Sequence, residues 1–198
     1  MGTFEFFFSF YGLVLGLSVA VIATALATSI QHRAQVRMGW LTPMLALFVC
    51  LDIVSFWSNA WDSMQTLPVT YGLLVASLTV ALTYFVACSL IFPHQIVDGA
   101  NLDDHFWSNK RIVLVLMIAA TLMSYVLTTA GNLRDPAKHF HIIDQGIGVA
   151  LYLLLVGLAA QTKRQGVFAV SLGIYMFYYA ITALATALLP TIGTVSAS

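Results

Sequence analysis

Six apolar runs dominate the chain, each close to the roughly 20 residues an α-helix needs to cross a bilayer. They lie near 6–28, 40–61, 69–92, 112–129, 142–160 and 167–189. Hydrocarbon offers no water to bond a bare backbone, so runs of this kind are expected to satisfy their N–H and C=O groups internally, as helices. Composition points the same way. The chain is 60% hydrophobic and only 8% charged, against roughly 25% charged in a soluble domain. A soluble globule is excluded. The expected fold class is all-α: a polytopic membrane protein, residues 1–198 forming a single bundle of six transmembrane helices joined by short connections. Its main partner is the lipid bilayer.

The second run, Trp40–Trp61, carries Trp40 at one end and Trp57 and Trp61 at the other, the placement of indoles anchored at two interfaces. Near its middle stands Asp52. A carboxylate at that depth costs a few kcal/mol on insertion scales. It therefore needs a partner, a proton or a water-filled cavity. Helical spacing places Ser55, Asn59 and Asp62 on the same face as Asp52, a polar stripe running from the midplane to one surface. If Asp52 is a structural acid, tyrosines such as Tyr125 or Tyr178 are its expected hydrogen-bond partners.

Basic residues set the expected orientation. His32, Arg33 and Arg37 follow the first run, Lys110 and Arg111 the third, and Lys163 and Arg164 the fifth. All fall on one side, whereas the other side holds Arg134 and Lys138. The positive-inside rule then puts both termini outside the cytoplasm. The first run lacks a positive leader and exceeds the usual length of a signal-peptide core, so it is expected to remain as a helix. Formal net charge is zero, with no basic field for nucleic acid. Three helices followed by three would permit an inverted repeat, but the halves share no convincing matching residues.

On the expected topology several polar groups gather in the outer half. Thr121, Ser124, Tyr125 and Thr128 share a face of the fourth helix. Asp144 and Gln145 lie near the start of the fifth, and Ser171, Tyr175, Tyr178, Thr182 and Thr186 follow one side of the sixth. Of these, Ser124, Tyr125, Thr128, Asp144, Gln145, Thr182 and Thr186 fall in the outer half, and a pocket open to the outside and floored near Asp52 would satisfy them together with Ser55, Asn59 and Asp62. Hydroxyls alone can instead bond their own or neighbouring helices; the aspartates cannot satisfy themselves. Gly12, Gly16 and Ala20 recur at four-residue spacing on the first helix, a pattern that lets another helix approach closely, in the same chain or in a second copy. The aromatic cluster Phe4, Phe6, Phe7, Phe8, Phe10 and Tyr11 reads as an interfacial belt. Pro68 is placed like a first-turn proline of the third helix, and Phe92-Pro93 like its stop.

Two segments carry metal-ligand residue types. His139 and His141, with Asp144 nearby and Asp62 across the surface, resemble an incomplete zinc or copper set. The loop from His94 to His105 is rich in oxygen and imidazole but lacks the ordered spacing of a calcium loop. There Asp103 and Asp104 are expected to cap an interfacial helix that dips Phe106 and Trp107 into the headgroups. Cys50 and Cys88 sit inside apolar runs and read as small buried side chains. No histidine lies mid-helix to hold haem, no lysine lies mid-helix for a retinal Schiff base, and no nucleophile elbow, zincin or phosphate-loop motif occurs. Neither an enzyme nor a cofactor is expected.

Phe92-Pro93, then Leu102-Asp103, His105-Phe106 and Asn109-Lys110-Arg111 leading into an apolar helix, resemble a pattern in uncharacterised bacterial six-helix inner-membrane proteins. The resemblance covers roughly Phe92–Arg111. It implies a bacterial inner-membrane location and carries over no activity or site residue. Two function classes stay open. One is a small channel or transporter for an ion, proton or small solute, with Asp52 as its binding group. The other is a non-transporting accessory or structural subunit of a larger membrane assembly. Size, short loops and the glycine seam favour a homo-oligomer or complex subunit under either.

Overall fold

The computed structural model describes residues 3–32, 39–64, 70–93, 102–132 and 139–188, with side chains 3–4, 6–7, 62–64, 131–132, 139–144 and 188 outside that description. Six helices follow in order: α1 (Thr3–Gln31), α2 (Leu41–Met64), α3 (Tyr71–Ser89), α4 (Leu102–Asn132), α5 (His139–Gln161) and α6 (Gln165–Leu188). Five contain stretches long and apolar enough to cross a membrane, and α5 contributes a shorter apolar stretch, Gln145–Gln161. The exterior is what lipid requires: Leu13, Leu17, Val54, Val126, Leu154 and Phe177 are all more than half exposed. In water such a surface would be a continuous aggregation patch. This is a multi-pass helical membrane protein.

Contacts show the helices running alternately up and down. Phe8 at the start of α1 packs edge-on against Trp57 and Trp61 near the end of α2, with ring centroids 4.6 and 4.8 Å apart. Lys110 near the start of α4 reaches the end of α5. Phe106 and Phe168, near the starts of α4 and α6, meet at 4.9 Å. We call the end where α2, α4 and α6 finish the upper end. The helix α2 sits at the centre, touching α1, α3, α4 and α6. Its span is 50% buried, against 22–33% in the other four candidate spans.

Local chemistry explains several boundaries. Pro43 falls in the first turn of α2, where a missing N–H costs no hydrogen bond. Thr70 caps α3, its hydroxyl accepting the Leu73 N–H, a standard use of a hydroxyl before a helix. The α5–α6 link is short, and the Thr162 hydroxyl accepts the Arg164 N–H at 3.1 Å to tighten it. Pro68 lies outside the described residues. The stop of α3 comes at Ser89, earlier than Phe92-Pro93, with Leu90 and Ile91 N–H groups folded back onto Ala87 and Cys88 carbonyls.

Three expectations are corrected. The helix α4 starts at Leu102 rather than near 112, so Asp103, Asp104, Phe106 and Trp107 belong to its first turns and form no separate interfacial helix. Phe106 is 1% exposed, held in the core by Phe168; core packing outcompetes the headgroup region for this ring. The helix α1 packs mainly on α3, and its buried face carries Tyr11, Leu15, Ser18 and Ile22. Gly16 and Ala20 face outward, and a Cβ added at Gly16 would meet nothing. Gly16 therefore packs on no helix among the described residues, which leaves the second-copy alternative open; Gly12 accommodates the Trp57 ring, which an added Cβ would strike. Phe8, assigned to the belt, is 5% exposed and turned inward, whereas Phe10 is 52% exposed.

Candidate functional site

Asp52 lies on the buried face of α2, between Val49 and Ile53, and is 4% exposed. Both carboxylate oxygens accept phenol hydrogen bonds. The Tyr84 hydroxyl of α3 donates to Oδ2 at 2.9 Å, and the Tyr179 hydroxyl of α6 donates to Oδ1 at 2.6 Å. No lysine, arginine or histidine pairs with this carboxylate among the described residues. Burial of an acid is costly unless its lone pairs are taken up, and here phenols alone do so.

Above Asp52 opens a cavity of about 250 Å³. Ser55 and Asn59 line it from α2, and Thr121, Ser124, Tyr125 and Thr128 from α4. Gln145, Gly148 and Tyr152 line it from α5, and Tyr175, Tyr178 and Tyr179 from α6. Spacing explains each contribution: three- and four-residue steps keep one face of a helix turned to one neighbour. Tyr175 is wedged among aromatic rings, 5.2 Å from Tyr152 and 5.0 Å from Tyr179, and its hydroxyl donates to the Gly148 carbonyl at 3.4 Å. Gly146 gives Tyr125 room; a Cβ there would sit 3.0 Å from the Tyr125 hydroxyl.

One lining group stands out. Tyr152 is 2% exposed, and its buried hydroxyl lies beside Asp52 and Thr121 without a hydrogen bond of normal length and angle to either. A buried phenol normally finds a partner. The Asp52 carboxylate and the Thr121 hydroxyl are the groups within its reach.

Beneath Asp52 the bundle closes. Phe48, Ala87, Met117, Val156 and Leu172, one from each of five helices, are each 0% exposed. Phe48 stacks near Tyr152, with centroids 6.4 Å apart. The cavity is one-ended, and an apolar layer separates it from the lower end.

Of the residues singled out from the sequence, Asp52, Ser55, Asn59, Tyr125 and Tyr178 share this cavity. The side chains of Asp62 and Asp144 lie outside the described residues, as do those of His139 and His141. Among the described residues no cluster of three or more metal-ligating side chains forms. The expected partners of Asp52 were Tyr125 and Tyr178; the partners found are Tyr84 and Tyr179. Tyr178 precedes Tyr179 by one residue, which on a helix rotates it away from Asp52, and it is 56% exposed. The buried stripe on α6 runs Phe168, Leu172, Tyr175, and continuing it by four residues reaches Tyr179. On α3 the buried residues Ser77, Val80, Ala81, Ala87 and Cys88 bracket Tyr84 in the same way. Those stripes were the available signals. Thr182 and Thr186, expected in the pocket, are exposed and bond the Tyr178 and Thr182 carbonyls of their own helix at 3.0 and 2.9 Å. Cys50 and Cys88 are free thiols. Compared with family models, curated proteins and solved structures, the chain gives no match.

Proposed function

We propose that the protein is a small transporter that binds a proton or a small cation at Asp52, in a state open toward the upper end and closed beneath. The observation that carries this reading is a buried carboxylate held by the phenols of Tyr84 and Tyr179, with no cation paired to it among the described residues, at the foot of a polar cavity. Ionisable groups within membrane helices mark ion or proton pathways by default. The apolar layer below Asp52 argues for alternating access over an open pore. The positive-inside bias supports taking the upper end as the outer face, with both termini outside the cytoplasm. The resemblance around Phe92–Arg111 supports a bacterial inner-membrane location.

Asp52→Asn tests the reading. An amide keeps the shape and can still bond both tyrosines. In reconstituted vesicles, proton or monovalent-cation flux should fall sharply and lose its dependence on pH, while the protein stays folded. A stable Asn variant with full flux sinks the proposal. The second reading, a non-transporting subunit of a membrane complex, is favoured by that same dry layer, since no polar path continues below it. The outward-facing Gly16 and Ala20 would then seat a neighbouring helix, in a second copy or another subunit.

A further inference from the structure

At the lower end, on the opposite side of the apolar layer, α4 and α5 enclose a second cavity of about 520 Å³. Lys110, Arg111 and Lys163 line it, together with Trp107, Gln161 and Thr162. Lys110 is the buried one of its three cations. Its side chain is 4% exposed, and Nζ donates to the Ala159 carbonyl at 3.0 Å and to the Thr162 carbonyl. It lies 4.6 Å from the centre of the Trp107 ring. An ammonium group has three donors, so one remains after the two carbonyls at the end of α5. No carboxylate pairs with Lys110, Arg111 or Lys163 among the described residues.

The surroundings of this cavity are apolar on the side facing the membrane core. One turn along α4 from Arg111 lies Val115, 50% exposed, and one turn before Thr162 on α5 lies Leu158, 49% exposed. Three cations and an indole thus sit at the edge of a lipid-facing helix pair, at the level where headgroups lie. The chemistry fits a phosphate attached to acyl chains. The phosphodiester would meet the cations, and the chains would lie along Val115 and Leu158.

We propose that this lower-end cavity between α4 and α5 binds the phosphate headgroup of an anionic phospholipid. The site is independent of Asp52 and of any transport activity. A bare basic surface would attract anionic lipid without a defined seat, and Arg164 supplies the control. It is exposed, adjacent to Lys163, and does not line the cavity.

The full-length protein in detergent is titrated with phosphatidylglycerol or phosphatidylcholine, and bound lipid is counted by native mass spectrometry. Phosphatidylglycerol should bind as a discrete adduct in preference to phosphatidylcholine. The Arg111→Gln/Lys163→Gln double variant, altered at exposed positions, should bind it about tenfold more weakly or worse, as expected when two cations leave an anionic headgroup. Arg164→Gln should bind like wild type. Equal binding of the two lipids overturns the proposal, as does an Arg164→Gln loss equal to that of the double variant. Inorganic phosphate in large excess should leave the lipid adduct intact; displacement by it would mean a free-phosphate site and would also overturn the lipid assignment.

Discussion

Replacing Tyr84 or Tyr179 by phenylalanine removes one hydroxyl while keeping the ring and its packing, including the 5.1 Å contact between Tyr84 and Phe56. Each variant deletes one phenol–carboxylate hydrogen bond, of 2.9 or 2.6 Å. In soluble proteins, bonds to a charged group contribute about 1.5–3 kcal/mol. Within a bilayer, side-chain hydrogen bonds average about 0.6 and reach about 1.7 kcal/mol, because the separated helices also find partners. Buried and donated to a carboxylate, these two belong near the upper end of that range, so each variant should cost about 1–2 kcal/mol. Tyr178→Phe removes a hydroxyl from the same cavity with no bond to Asp52 and should stay within about 0.5 kcal/mol. Unfolding in mixed micelles with increasing denaturing detergent, followed by two independent probes, measures all three. Repeating Tyr84→Phe and Tyr179→Phe in an Asp52→Ala background, which removes both acceptor oxygens, closes two double-mutant cycles. Their coupling energies should be about 1 kcal/mol. Coupling below about 0.3 kcal/mol in both cycles, within the usual additivity error, would refute the claim that these phenols stabilise Asp52.

Other outcomes follow from single contacts. Gly12→Leu should cost about 1–3 kcal/mol in the same unfolding assay, because its Cβ strikes the Trp57 ring, whereas Gly16→Leu should leave monomer stability unchanged; a changed oligomer on a sizing column for Gly16→Leu would reveal a neighbouring helix there. Lys110→Met should destabilise by about 1–3 kcal/mol, since it strands the Ala159 and Thr162 carbonyls at a helix end that favours a cation; thermal melting reads the loss. A reporter fused after Ser198 should be active only if it is one that works outside the cytoplasm, and a cytoplasmic C-terminus would reverse the assignment of upper end to outer face.

The stripe Asp52–Ser55–Asn59 and the α4 face Thr121–Ser124–Tyr125–Thr128 were legible because helical periodicity fixes which residues share a face, whatever lies opposite. What lies opposite depends on the rotation of each neighbour, and a polar residue on both sides of a helix leaves that rotation open. The α6 sequence offers Tyr178 and Tyr179 side by side, and only the buried run through Phe168, Leu172 and Tyr175 decides between them. The α3 sequence offers Thr79 and Thr83 as its evident polar pair, yet both bond their own helix at 2.8 Å and Tyr84 faces inward. The start of α4 was illegible for a different reason. Asp103, Asp104, Lys110 and Arg111 look too polar for a packed helix. Lys110 is tolerated through carbonyls 49 and 52 residues further along the chain, a pairing that local pattern does not encode.

The choice of phenols around Asp52 bears on what the site can do. A buried carboxylate paired with arginine or lysine is fixed in its charged form, because protonating it strands the partner's charge in a low-dielectric interior. A phenol imposes no such restriction. It donates to a carboxylate, and its oxygen can accept from a carboxylic acid, by rotation of one O–H bond. Tyr84 and Tyr179 can therefore hold Asp52 before and after it takes up a proton. When a cation is the ligand, the same phenol oxygens can join the carboxylate in coordinating it, and the Tyr152 hydroxyl beside Asp52 offers a further oxygen at the cavity wall. Phe48 and the apolar layer beneath deny water from the lower end access to either state. Under the transport function proposed above, exchange at Asp52 would proceed through the upper cavity alone until the helices that supply the layer move, which is the condition a carrier must meet to avoid leaking.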